Sequence, residues 1–371
     1  MKKDYLIKLI AGALLITTAL NSCRDDFDFE EFDNSDDSIA INGKVATPLI
    51  NSKIKFSDFK PETINKRLHF STDNTGLIHM IIDQDDKVQD LPNMLSPEEM
   101  AALGLVPQPW KNVYETEKQD VYRDNEKGTL MIKEPSFTLK SKTMNGSKID
   151  LQIDKIDFYK EDGTLLKTVT PVNPEYAEEV TVDNNTTNGD LSKALDMMPD
   201  YYIMTYSAKA DELKNNEKMR VNIVIDMPLE IKAKGFSISD TMELNINDIL
   251  ENVDELIVKS KAENSLPIDI NFKAYFLAKE IKIDSLYAEG PWEIGAATVD
   301  DNGKVQNTIA ASRETTFEKD RISALVNRKC DKLVYDIKLE TTQDKYVKIT
   351  DLQSIYMRMS MCAEAGYSTE D

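Results

Sequence analysis

The chain has 371 residues, with 45 Lys and Arg against 66 Asp and Glu, a formal net charge of −21, and 41% apolar and 30% charged residues. The apolar share supports one large or two modest folded domains and excludes a wholly disordered chain. The acid excess repels phosphate backbones and excludes nucleic acid as a partner. Two His and three Cys leave little material for a His/Cys metal centre, and neither a metal nor an organic cofactor is expected.

The N-terminus carries an address. Lys2, Lys3 and Lys8 precede or open a nearly unbroken apolar run from Leu9 to Leu20. The run is short for a bilayer span and has the form of a secretory leader over residues 1–22. It ends in Leu20-Asn21-Ser22-Cys23, which resembles the lipobox of bacterial lipoproteins. That resemblance implies that Cys23 is acylated, becomes the mature N-terminus, and anchors the protein in the outer membrane by lipid alone. Residues 23–38 form an acidic tether in which Asp25, Asp26, Asp28, Glu30, Glu31 and Asp33 crowd beside the anchor. This segment resembles the export signal of surface-exposed lipoproteins of Bacteroidota-type bacteria, which implies display on the cell exterior. A self-repelling spacer is compatible with the same residues, whereas a calcium loop lacks its ligand spacing and turn Gly. Lys2, Lys3 and Lys8 against Asp4 give the leader a charge of +2, so its removal takes the chain from −21 to −23.

Beyond Ser38 the pattern changes to strand-like alternation, which predicts a mainly β protein, an antiparallel β-sandwich-like body with few short helices. Arg67 to Ser71 and Gly76 to Met80 form a predicted hairpin centred on Asn74. That register sets His69 directly opposite His79, about 5 Å apart at Cβ. The pair is half of a metal site at most. No third ligand is identifiable and a one-residue slip separates the rings, so two half-exposed strand His are expected. Ser96-Pro97-Glu98-Glu99 starts a helix that Gly104 ends. Trp110, beside Pro109, is either a loop platform for a sugar or partner, or the plug at a core edge.

Asn145-Gly146, between the runs 132–143 and 149–154, predicts a type I′ hairpin, and Asp162-Gly163 and Asp301-Asn302-Gly303 predict two more. The polar stretch 183–190 is the expected boundary between an N-terminal β domain over 39–182 and a C-terminal sandwich-like domain over 191–371, with one continuous body as the alternative. Helices are expected from Asp190, and from Asp320 as cap with Ile322, Leu325 and Val326 on one face. Further strands cover 221–225, 267–272, 333–339 and 355–361. Glu255 to Lys259, Asn264-Ser265-Leu266-Pro267 and Ile268 to Leu277 are similar to the strand, Asn-x-x-Pro, strand unit of the late-embryogenesis-abundant β-sandwich family, a local resemblance that implies a sandwich and no catalytic residue. Trp292, after Gly290-Pro291, poses the same alternatives as Trp110.

With Cys23 committed to lipid, Cys330 and Cys362 remain. They are bridged if the 333–339 strand pairs with the 355–361 strand, and are otherwise two free thiols. No nucleophile elbow, zincin helix or phosphate-cradling Gly loop is present in the sequence. The expectation is therefore a non-catalytic surface lipoprotein that binds a protein, a glycan or a small ligand. The alternatives are a glycan hydrolase with two carboxylates about 5–9 Å apart in a Trp-lined cleft, and a structural subunit with an open strand edge.

Overall fold

A computed structural model describes residues 44–54, 68–86, 88–95, 97–106, 108–121, 127–243, 250, 253–300, 304–341 and 345–365. The leader, Cys23, the six acidic residues beside it, Ser96 and the turn Asp301-Asn302-Gly303 lie outside the described residues. The elements in chain order are β1 (Lys44–Ile54), β2 (Leu68–Thr72), β3 (Ile78–Asp85), β4 (Gln89–Asp90), α1 (Pro97–Ala102), β5 (Trp110–Glu115), β6 (Gln119–Asp120), β7 (Lys127–Ile132), β8 (Ser136–Thr143), β9 (Asp150–Tyr159), β10 (Leu165–Val169), β11 (Glu179–Val182), α2 (Asp190–Asp196), β12 (Tyr201–Ala210), β13 (Lys218–Pro228), β14 (Glu230–Glu243), β15 (Val253–Asn264), β16 (Ile268–Ala278), β17 (Ile281–Ser285), β18 (Trp292–Ile294), β19 (Ile309–Glu318), α3 (Lys319–Asn327), β20 (Lys332–Thr341), β21 (Val347–Lys348) and β22 (Ile355–Ala365). The chain is mainly β and sandwich-like, as its alternation predicts.

Two compact units divide it. The central unit holds residues 59–124 and 129–232, and the second, here the C-terminal unit, holds 1–58, 125–128 and 233–371. The expected domains 39–182 and 191–371 are therefore not the compact units, because the polar stretch 183–190 is not a linker. Its side chains build a turn and cap a helix: Asp183 Oδ1 closes the turn on the Thr186 N–H at 2.8 Å, and the open N–H groups of the helix start are taken by Asn184 Oδ1 (Ser192 N–H, 3.0 Å) and Thr187 Oγ1 (Leu191 N–H, 3.3 Å). The last two bonds satisfy donors that a helix start leaves open. Leu191, Ala194 and Leu195 on α2 are buried in the central unit.

In the central unit, one sheet runs β10-β9-β12-β5 and the other β11-β8-β13-β3-β2, with β6 added on β12 and β4 on β13. Alternation builds them. Met219, Val221, Ile223, Ile225 and Met227 of β13 are all buried, each contributing about 1.5–3 kcal/mol through area removed from water. Phe137 of β8 meets Tyr202 of β12 edge-on at 5.2 Å between ring centroids, and the Tyr202 hydroxyl donates to Gln84 Oε1 of β3 at 2.6 Å. Asp162-Gly163 forms the expected hairpin between β9 and β10, with Gly163 at φ 86°.

Asn145-Gly146 does not form a hairpin. Strands β8 and β9 belong to different sheets, so residues 144–149 carry the chain from one sheet to the other. The loop is fastened elsewhere: Glu217, 1% exposed, accepts the Asn145 N–H (2.7 Å) and the Ser147 N–H (2.9 Å) on its carboxylate, and Met144 N–H bonds to the Lys218 carbonyl (3.0 Å).

In the C-terminal unit the sheets are β1-β22-β15-β19 and β17-β16-β20-β14-β21, with β18 added on β16. Strand β1 pairs along its length with the last strand, Lys44 opposite Glu364 through Ile54 opposite Ile355. Phe276 of β16 meets Phe317 of β19 edge-on at 5.8 Å. Between β15 and β16, buried Asn264 donates to the carbonyls of Ile268 and Gly295 (both 2.9 Å) and accepts the Leu266 N–H (2.9 Å). Helix α3 begins at Lys319 with Glu318 as its N-cap, so Asp320 lies in the first turn instead of capping it, while Ile322 and Leu325 are buried as expected.

Candidate binding groove

The C-terminal unit presents a polar groove on the outer face of β14, β20 and β16. Its shape begins at Gly235. Before this residue Ile231 and Ala233 are the buried positions of β14, and after it Phe236 is. A residue at φ +60° absorbs that one-residue shift, a conformation glycine adopts without a Cβ penalty. Ser237 and Ser239 are thereby turned outward.

Strand register completes the face. Ser237 lies opposite Lys338, which lies opposite Asn271, and Ser239 lies opposite Asp336, which lies opposite Lys273. The two rows and Pro291 line a cavity of about 430 Å³. That volume falls within the range of small-ligand sites, but such sites are usually apolar, whereas hydroxyl, amide, carboxylate and ammonium groups dominate this one. The Ser239 hydroxyl donates to Asp336, and Lys338 Nζ pairs with Glu340 at 3.1 Å. Lys273 has no ion-pair or hydrogen-bond partner among the described residues, although Asp336 is its cross-strand neighbour. Two residues along β16, Tyr275 carries Lys282 Nζ 4.0 Å above its ring, and burial followed by the Asp336 charge pushes its phenol pKa up.

Trp292 is not exposed as a ligand platform. It is 2% exposed, paired opposite Phe272 and packed 6.1 Å from Tyr287, so its ring is core. Its sequence neighbour Pro291 forms the groove lip, and the Pro291 carbonyl accepts a hydrogen bond from Arg313. Trp110 is half-buried at the start of edge strand β5, tilted against Tyr114 at 6.4 Å, with Tyr114 stacked on buried Tyr206. It stands at a core edge of the central unit.

His69 and His79 share a face but are not opposite each other. His69 pairs with Ile81 and His79 with Ser71, because Asp73 Oδ1 accepts the N–H groups of Thr75 and Leu77 and centres the turn on Thr75 instead of Asn74. His79 Nδ1 lies 2.8 Å from Asp226 Oδ1, and His69 Nδ1 lies 3.7 Å from Asp83 Oδ2. Among the described residues no three His, Cys, Asp or Glu side chains converge on one point as metal ligands.

Cys330 and Cys362 do not form a disulfide. The expected pairing of their strands does not occur: β20 lies between β16 and β14, whereas β22 lies between β1 and β15 in the other sheet. Cys330 is fully buried, and burial followed by the charges of Asp331 and Asp284 pushes its thiol pKa up. A second cavity of about 340 Å³ lies among Lys53, Glu263, Ser265, Thr308, Ser354 and Tyr356. No helix among the described residues is long and apolar enough to cross a membrane.

No protein-family model matches the sequence, and no characterised protein matches it either. Among solved structures, a protein from Parabacteroides distasonis ATCC 8503 that is described as secreted is 12% identical, with a TM-score of 0.40 over 87% of this chain and 100% of that one. A tandem CBM22 domain of Paenibacillus barcinonensis Xyn10C is 9% identical, with a TM-score of 0.19 over 89% and 100%. The infectious bursal disease virus Gx strain gives 8% identity and a TM-score of 0.19 over 82% and 75%. TM-scores below 0.5 do not establish a common fold.

Proposed function

We propose that the mature protein is a lipid-anchored, surface-displayed, non-catalytic binding protein, with the polar groove of its C-terminal unit as the binding site. The observation that carries the groove's role is the six polar side chains drawn from three strands into one cavity. Such an arrangement offers fixed donors and acceptors to a hydrophilic ligand. The anchor reading rests on Leu20-Asn21-Ser22-Cys23 and the acids that follow it. Acyl chains on one residue bind membrane at about 0.8 kcal/mol per buried CH₂, so no spanning helix is needed. The test is metabolic labelling with an alkyne-tagged fatty acid. Wild-type protein takes up label and partitions with outer membranes, and Cys23→Ala takes up none and leaves the membrane fraction; label retained on Cys23→Ala would overturn the anchor.

A further inference from the structure

The groove's charges specify a ligand class, an inference that rests on the binding reading above. At its centre four side chains form a two-by-two square: Lys338 and Asn271 in one row, Asp336 and Lys273 in the next. The lysines occupy one diagonal, and Asp and Asn the other. Ser237 and Ser239 extend both rows on β14. With strands about 4.8 Å apart and alternate residues about 7 Å apart along each strand, the square and its serines cover an area on the scale of one or two sugar rings.

Each group has a defined need. In a chain of net charge −21, several lysines of this unit are ion-paired: Lys259 with Glu314 at 3.4 Å, Lys319 with Asp254 at 2.5 Å, and Lys338 with Glu340 at 3.1 Å. Lys273 is exposed and has no ion-pair or hydrogen-bond partner among the described residues, while Asp336 opposite it accepts the Ser239 hydroxyl. It can accept one ligand anion. Asp336 has lone pairs left for hydroxyl donors, and Asn271, Ser237 and Ser239 both donate and accept. A compact dianion such as phosphate fits poorly, since any point touching both lysines also lies beside Asp336. A ligand that spreads hydroxyls over the square and holds a single carboxylate at one corner fits every group.

We propose that the groove binds a glycan containing uronate sugars, with a ring carboxylate on Lys273 Nζ and ring hydroxyls on Asp336, Asn271 and the two serines. No bond is made or broken.

The test is calorimetric titration of the mature protein with trigalacturonate, a glucuronate-bearing hyaluronan tetrasaccharide and neutral xylotriose. A uronate probe should bind, xylotriose should bind at least about tenfold more weakly, and Lys273→Ala should weaken uronate binding by about 10- to 100-fold, the scale of a lost charge-assisted hydrogen bond. Lys273→Arg should recover much of that loss, and thermal melts should show all variants folded, since Lys273 is exposed. Equal affinity for xylotriose, or an unchanged Lys273→Ala, would overturn the uronate assignment while leaving a binding groove. Absence of binding by all three probes would also overturn it, and the display reading would then stand or fall on surface accessibility alone.

Discussion

Replacing Glu217 by Gln removes one charge from a carboxylate that fastens a loop between two sheets. Glu217 Oε1 accepts N–H groups of Asn145 (2.7 Å) and Lys218 (3.1 Å), and Oε2 accepts that of Ser147 (2.9 Å). Burial alone would raise its pKa, but the hydrogen bonds from Ser147, Asn145 and Lys218 outweigh burial and hold it down at about 2, against an ordinary value of 4.5. At about 1.36 kcal/mol per unit that difference is worth roughly 3 kcal/mol, and the Gln amide oxygen, which still accepts part of the same hydrogen bonds, leaves an expected loss of about 2. A depressed folded-state pKa stabilises the protein above pH 4.5, and the stabilisation is lost as pH falls toward 2. Gln cannot accept on its amide nitrogen, so one N–H loses its partner. The assay is urea unfolding of the mature chain in a Trp292→Phe background, where Trp110 reports the central unit. Glu217→Gln should lose about 2 kcal/mol at pH 7, and the gap to wild type should narrow between pH 4.5 and pH 2. A loss under about 0.5 kcal/mol at pH 7, or a gap unchanged across that range, would refute the reasoning.

Gly128→Ala should destabilise by about 3 kcal/mol or more, because a Cβ there sits 2.2 Å from the Gly235 carbonyl oxygen at φ +87°. Gly104→Ala, with φ +67° but nothing within 4 Å, should cost only about 1 kcal/mol, and the two unfolding midpoints check the contrast. Asn264→Ala leaves two carbonyls and one N–H without their partner in a buried site and should cost about 2–4 kcal/mol by thermal or urea unfolding. Thiol titration of denatured, unreduced protein should find two free thiols, and in the native protein half-buried Cys362 should react before Cys330; a count of zero would contradict the sheet assignment.

Alternation of apolar and polar residues made the strands of β13 and β20 readable, since burial of one face requires period two. Which strands pair was not readable, because partners lie far apart in sequence: β1 finds β22 about 300 residues later. Local signals misled where tertiary contacts replaced them. Asn145-Gly146 has hairpin chemistry, yet Glu217, about 70 residues away, takes the N–H groups of Asn145 and Ser147. The stretch 183–190 is polar because it caps a helix, which composition alone cannot distinguish from a linker. The groove was hidden for a similar reason: Ser237, Lys338 and Asn271 each look like ordinary solvent-facing strand residues until register brings them together. A residue conformed for a bulge at Gly235 was the one signal nearby, and a lone glycine in a strand does suggest a break in the pairing pattern. Trp292 drew attention as a ligand platform, but only its neighbour Pro291 reaches the groove.

Surface display is tested most directly by adding protease to intact cells that carry either the wild-type chain or a chain with Asp25, Asp26, Asp28, Glu30, Glu31 and Asp33 neutralised to their amides. The wild-type body should be digested while periplasmic markers survive, and the neutralised chain should remain lipidated but protected. A wild-type body that resists protease on intact cells and is digested only after the outer membrane is opened would contradict the account.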